Sequence, residues 1–432
     1  MIPELGRRIA ALELAELTPA ARDRLLLALL GNLSVGIAGP RYVVVPRPAG
    51  PGVYRLLSGG TAARADDAAF FNGAAMHART QDDFDPVGKL HAGTVTIPAL
   101  LAEADGRKVA GRDFLAGLAA AYMISAGLSH GPQAETTPRG LRATAIFAPF
   151  GAAAAVARVR RVSAEQAASA LALTTAFVGG TTQAWLDGSD EWQLHTAQGA
   201  RTALEVNNLA AAGVRGGARA LDGQFGFLRA MAGRDFTWAE IERALDPSKA
   251  LENNAMKRYP VSGSCQSIVL AVVRVARKLT CGPEAITRIQ VHMNPKEYRY
   301  PGHVNKGPFR AFGDRLMSAE FCAASVLAHG KFVFDDFHAH ESPARARLVG
   351  LTEVIEDPAL PLLSARVSVT TPQGIVEELL IDSRAAVGLD WTTMDDWAGE
   401  LWREAGRSGD DFKRCRDAVR QLETASEVRL PL

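Results

Sequence analysis

The residues best suited to chemistry crowd into one stretch. Between His77 and His91, 15 residues carry three carboxylates (Asp82, Asp83, Asp85), two histidines and two cations (Arg79, Lys89), with apolar segments on either side. A polar loop between core helices must find hydrogen-bond partners in protein or water. Two readings follow: a carboxylate–histidine acid/base site, or a solvated loop in which Asp82 caps the next helix. His91 is the preferred acid/base, because an unperturbed imidazole titrates near neutrality. Asp82 or Asp83 would orient a histidine or position the proton. His77, Asp82, Asp83 and His91 are also of metal-ligand type, but their spacing matches no standard site, so no metal is expected.

A second candidate runs from Asn253 to Gln266. It carries the adjacent cations Lys257 and Arg258, turns at Tyr259-Pro260, and leads into a helix start near Ser264, where an anion would be favoured. An interdomain linker is the plain alternative. Cys265 stands at that helix start, yet no histidine follows nearby to activate its thiol. No phosphate loop or dinucleotide fingerprint is visible, and the glycines Gly213–Gly217 lack a preceding strand. No cofactor is expected.

These residues need a scaffold, and the first 270 positions read as helix after helix. Thr18-Pro19 supplies a cap with proline at the first helical position, and that helix is expected to end at Gly31. Ser163-x-x-Gln166 is a capping box opening an apolar helix through Val178, and Thr237-x-x-Glu240 repeats it. Alanine-rich runs such as Phe150–Val156 let helices pack closely. After about residue 280 the period changes. Ile289, Val291 and Met293 alternate with Arg288, Gln290 and His292, which is strand spacing. Two further strand-like runs flank Pro372-Gln373-Gly374 as a hairpin. Helices are expected around Ser318–His329 and 344–351, the latter opened by Ser342-Pro343.

The expected fold class is mainly α: a large all-helical domain (1–268), a smaller α+β domain (269–392), and C-terminal helices (393–432) returning to the first.

Composition excludes more than it identifies. The chain has 432 residues, 48 Lys+Arg against 47 Asp+Glu, 47% hydrophobic and 22% charged residues. At about 150 residues per domain, two or three domains fit. A net charge of +1 lacks the basic stripe that nucleic acid requires. The four cysteines form no CxxC pair, so neither a zinc cluster nor a disulfide framework is expected. The N-terminus lacks a signal-peptide core, and the apolar runs fall short of the ~20 residues that span a bilayer. A cytoplasmic protein with no nucleic-acid or membrane partner is the expectation.

The order of segments resembles the MmgE/PrpD family, which includes 2-methylcitrate dehydratase, cis-aconitate decarboxylase and iminodisuccinate epimerase. AAFFNGAAMHARTQDD is similar to the family's N-G-x-x-x-H-x-x-D-x-D-D signature. HAGTVTIPALLAEAD resembles the H-P-G helix after it. FAPFGAAAAVARV, QLHTAQGARTALEVNNLAAAGVRG, DGQFGFLRAM, KRYPVSGSCQS and RLMSAEFCAASVLAHGKF follow in the family's order, and TPAARDRLLLALLGNLSVGIAG resembles its opening helix. The resemblance implies a helical domain plus a smaller α+β domain, a homodimer, a cleft between the domains, and cofactor-independent chemistry on a small carboxylate.

The match also has departures. His77, Asp82, Asp83, His91, His195 and Lys257 agree with the family pattern. Thr80, Phe84, Ala92, Arg142, Trp192 and Gln266 stand where aspartate, threonine, proline, histidine, lysine and histidine are expected. The resemblance therefore implies a lyase or isomerase that makes or quenches carbanion character beside a carboxylate, with an altered substrate. Carbon–oxygen lyase chemistry is favoured. The alternatives are a decarboxylase or epimerase tailoring an unusual metabolite, and a binding paralogue that has lost catalysis. His91, Asp82, Asp83 and Lys257 are the expected catalytic set. His77, Phe84, Arg142, Trp192, His195, Arg258, Tyr259 and Gln266 would contact substrate.

Overall fold

The computed structural model describes residues 1–48, 50–384 and 390–432. It is mainly helical and divides into two compact units: Met1–Thr181, Trp192–Met256 and Leu389–Leu432 form the first, Thr182–Glu191 and Lys257–Gly388 the second. The expected boundary at 268/269 would cut the helix Cys265–Lys278. That helix instead belongs to the second unit, where it packs on the strands Ala365–Thr371 and Gly374–Leu380. The change of period that marked the boundary begins only at the first strand, and an amphipathic helix looks alike whichever unit it serves.

Helices Ala92–Gly106, Gly111–Ser129 and Ala143–Val159 form the centre of the first unit and are buried along nearly their whole lengths. Small side chains make this packing achievable at close range. The caps predicted at Thr18, Ser163 and Thr237 are all made. The helix after Ser163 stops at Thr174, short of Val178. The helix after Thr18 runs through Gly31 to Ala38. Gly31 is not a terminator: a Cβ there would meet the Met256 side chain, so the glycine serves close approach. Helix Trp391–Glu404 packs on Pro19–Ala38, with Trp402 Nε1 donating to Ser34 Oγ at 3.1 Å and Trp391 Nε1 to Asp23 Oδ1 at 2.6 Å.

The second unit carries a four-stranded sheet in the order Thr352–Glu356, Arg288–Met293, Ala365–Thr371, Gly374–Leu380. The first pair is parallel and the others antiparallel. Ile289, Val291 and Met293 are buried, as their alternation requires. Helices Ala319–His329 and Pro343–Leu351 are capped by Ser318 and Ser342. Strand Thr352–Glu356 was not legible in the sequence, because it leaves the preceding helix with no turn residue between. Among the described residues, no single helix is long and apolar enough to cross a membrane.

Candidate functional site

Helix Ala65–His77 delivers His77 at its last position. Thr80 then takes a left-handed backbone (φ 54°), its N–H bonded to His77 O at 2.8 Å, and turns the chain. Asp83–Phe84 pairs antiparallel with Ala255–Met256, Asp83 opposite Met256. Asp85 closes the loop: its Oδ1 accepts from the Val87 and Gly88 N–H groups and its Oδ2 lies 2.5 Å from His130 Nε2. Helix Ala92–Gly106 begins directly after His91. The solvated-loop reading fails here. His77, Asp82 and Asp83 are at most 1% exposed, and Asp82 is not the cap of the next helix, which starts ten residues after it with His91 at the cap position.

Asp82 and Asp83 point to opposite sides. Asp82 Oδ2 lies 3.0 Å from His77 Nδ1 and 2.7 Å from His91 Nδ1. His91 Nδ1 is also 2.8 Å from the Asp83 carbonyl oxygen. On the far side of His77, Nε2 is 2.6 Å from Arg142 Nη2. Arg142 Nη1 donates to Trp192 O at 2.6 Å and meets His195 Nδ1 at 3.1 Å. A continuous chain of close polar contacts thus runs Arg142–His77–Asp82–His91 through the first unit.

Donor and acceptor rules fix the tautomers along it. A guanidinium only donates, so His77 Nε2 accepts, and its proton sits on Nδ1, pointing at Asp82. Burial, with the Arg142 charge adding to it and Asp82 opposing, keeps His77 neutral by pulling its pKa down to about 3. His195 Nδ1 accepts in the same way, and burial followed by Arg142 brings its pKa to about 3. His91 Nδ1 faces two oxygen acceptors, so it carries hydrogen. A neutral His91 held this way bears its lone pair on Nε2. Its side chain is 17% exposed, against 1% for His77.

The Asp83 carboxylate is held elsewhere. Its Oδ2 accepts from Tyr122 Oη at 2.6 Å and from Asn254 Nδ2 at 2.9 Å, while its N–H reaches Asn32 Oδ1 at 3.3 Å. A Cβ on Gly93 would collide with Asn32 and with Asp83 Oδ1, so glycine lets the carboxylate lie against the helix start. Burial raises the Asp83 pKa despite the hydrogen bonds from Tyr122 and Asn254. Of the two aspartates, Asp82 orients the histidines; Asp83 contributes its backbone carbonyl to His91. Tyr122 and Asn32 were not anticipated as site residues, and Asn254 only as part of the candidate segment from Asn253 to Gln266. For the first two the available signal was a polar group inside an otherwise apolar helix, in AAAYMISAG and LLGNLSVG.

Other expected contacts fall into place differently. The Trp192 ring stands edge-on to His77, centroids 5.3 Å apart, and its carbonyl serves Arg142. The Phe84 ring lies 6.4 Å from that of His91. In the second unit, Lys257 is 1% exposed and Arg258 is exposed. The half-buried Tyr259 packs on Phe332, centroids 4.9 Å apart. Gln266 was expected to face a ligand, but its amide ties a turn. Oε1 accepts from Tyr259 N–H at 3.1 Å, and Nε2 donates to Tyr259 O at 2.8 Å and Val261 O at 3.2 Å. The buried Cys265 thiol donates to Met317 O at 3.3 Å, and a hydrogen bond with Cys322, then burial, pushes its pKa well up, which suits an inert thiol.

Ligand atoms of His77, Asp82 and His91 lie within 4.8 Å of one another, close enough to raise the question of a metal. The tautomers argue against one. With Arg142 donating to Nε2, His77 could ligate through Nδ1 only as an imidazolate, beside a buried cation.

Comparison with known proteins agrees with this architecture. Residues 4–239 match the MmgE/PrpD N-terminal domain and residues 259–385 the MmgE/PrpD C-terminal domain. The chain belongs to the MmgE/PrpD family. A relative in Aspergillus oryzae, the cis-aconitate decarboxylase-like protein oryM, is 27% identical over 400 residues, covering 84% of this chain and 80% of the relative. For this MmgE/PrpD member, family and relative together point to the dehydratase and decarboxylase type of lyase.

Proposed function

We propose that the chain is a cofactor-independent lyase acting on a small carboxylate-bearing metabolite by proton transfer at the carbon beside the carboxylate. The observation that carries this reading is the His91–Asp82 pair, whose Nδ1···Oδ2 separation is 2.7 Å. With Nδ1–H anchored on Asp82, His91 Nε2 is the atom that takes or gives the proton, and Asp82 stabilises the imidazolium that results. In the dehydratase reaction, His91 removes the proton and the electron pair is held as an enolate beside the carboxylate. That pair forms the carbon–carbon double bond as the carbon–oxygen bond breaks, and the hydroxyl leaves as water with the proton returned by the His91 imidazolium. The enolate-like charge needs a cation, and the role is assigned to Lys257, a fully buried lysine one residue past the strand that pairs with Asp83–Phe84.

Decarboxylation is the second reading, favoured by the name of the Aspergillus oryzae relative. There the carbon–carbon electron pair stays on the substrate carbon, which takes its proton from the His91 imidazolium as carbon dioxide departs. The departures at Phe84 and Trp192, whose rings stand beside His91 and His77, motivate a substrate other than 2-methylcitrate or cis-aconitate, and little or no turnover of either is expected.

The test is a panel of hydroxylated and unsaturated di- and tricarboxylates in deuterated water, followed by mass spectrometry. Loss of water with no deuterium added to the unsaturated product, or loss of carbon dioxide with one deuterium on the carbon that carried it, is the expected result. It should vanish in His91→Gln and Lys257→Ala variants that retain the wild-type melting temperature. Full activity in both variants would overturn the assignment.

A further inference from the structure

Arg142 was expected to contact substrate, yet its guanidinium is turned inward. It is 3% exposed. Nη1 spends its two hydrogens on Trp192 O (2.6 Å) and His195 Nδ1 (3.1 Å), and Nη2 gives one to His77 Nε2 (2.6 Å). Its backbone is fixed as well: it stands immediately before helix Ala143–Val159, with its N–H bonded to Gly180 O at 3.0 Å. A histidine, which the family pattern carries here, offers at most two ring nitrogens. Arginine reaches three acceptors in a rigid fork.

We propose that Arg142 is a positioning residue that acts through His77 and Asp82 to set the tautomer and basicity of His91. The inference rests on the role proposed above for His91. By donating to Nε2, Arg142 forces the His77 proton onto Nδ1, and that proton goes to the same Asp82 oxygen that His91 uses. Asp82 therefore divides its charge between two N–H donors, and His91 is a weaker base than it would be with Asp82 to itself. Groups facing this chain among the described residues include Asp82, the Asp83 carbonyl and the Phe84 ring around His91, and the Trp192 and His91 rings against His77. His195 lies beside Arg142, and Tyr122 lies on the Asp83 carboxylate. The neutral state of His77 fits the same picture, burial being its first cause and Arg142 adding to it.

The experiment uses the full chain labelled with nitrogen-15 histidine and long-range proton–nitrogen spectra over roughly pH 5 to 8, where free imidazole titrates. In the wild type, His77 should remain neutral with its hydrogen on Nδ1 throughout, while His91 titrates. In Arg142→Gln, the His91 midpoint should rise by about 0.5–1 unit as the cation is lost, and the acid limb of kcat/KM should move up with it. A wild-type His77 that titrates in this range, or that carries its hydrogen on Nε2, would overturn the proposal even if the variant does not fold. So would an unmoved His91 midpoint in a folded Arg142→Gln. The spectroscopic readings need no substrate, so they separate from the function proposed above: an active His91→Gln removes that function and leaves the titrations standing.

Discussion

His91 Nδ1 lies 2.7 Å from Asp82 Oδ2, with the Asp83 carbonyl oxygen 2.8 Å away on the same nitrogen. Two consecutive aspartates thus hold one imidazole, one by its carboxylate and the other by its main chain. The ring is fixed in orientation, and in its neutral form the second nitrogen carries the lone pair.

Asp82→Asn keeps the shape and removes the charge that stabilises a protonated His91. Turnover of the true substrate should fall about 10²- to 10⁴-fold, while the circular dichroism spectrum stays that of the wild type. A loss below about threefold would mean that His91 works without its carboxylate.

Asp83 predicts the opposite balance of stability and charge. Burial raises its folded pKa above the ordinary 3.8. As pH rises through the window from 3.8 to that raised value, the unfolded chain releases its proton first, so the native state loses stability. Asp83→Asn cannot titrate. Its melting temperature relative to wild type should therefore climb as pH rises through this window, then level off. Tyr122→Phe removes the hydroxyl that donates to this carboxylate at 2.6 Å. It should cost about 1–3 kcal/mol near neutrality, read from denaturant unfolding.

His195 gives an acid-side prediction. Its folded pKa of about 3 lies below the ordinary 6.5, through burial first and Arg142 second. Between those values the unfolded chain takes up a proton that the native state refuses, so this group costs stability as pH falls from 6.5 towards 3. His195→Gln keeps an acceptor for Arg142 and does not titrate. Melting curves should show the variant close to wild type at pH 7.5 and relatively more stable at pH 4.5. Parallel curves would show that His195 is protonated in the folded protein.

Much of the fold was readable because its signals are local. Thr18, Ser163 and Thr237 cap their helices from a few residues away, and the alternation at Ile289, Val291 and Met293 needs only its own strand. Gly31 was misread because nothing nearby in sequence shows Met256 packed against it. The unit boundary was misplaced because helix Cys265–Lys278 carries no mark of the sheet it covers.

The candidate site divides the same way. Residue types and spacing alone determined that His77, Asp82, Asp83 and His91 form one polar cluster between apolar helices, and that His91 suits proton transfer. Tertiary structure alone decided which aspartate serves the histidines, since Tyr122 and Asn254 come from distant parts of the chain to claim Asp83. It also decided that Arg142 faces His77, His195 and Trp192 O, and that Gln266 closes a turn. The physical reason is common to both. A side chain's chemistry is intrinsic, but whether it is offered to a ligand depends on which buried donors and acceptors it must satisfy, and those partners are chosen only when the chain has folded.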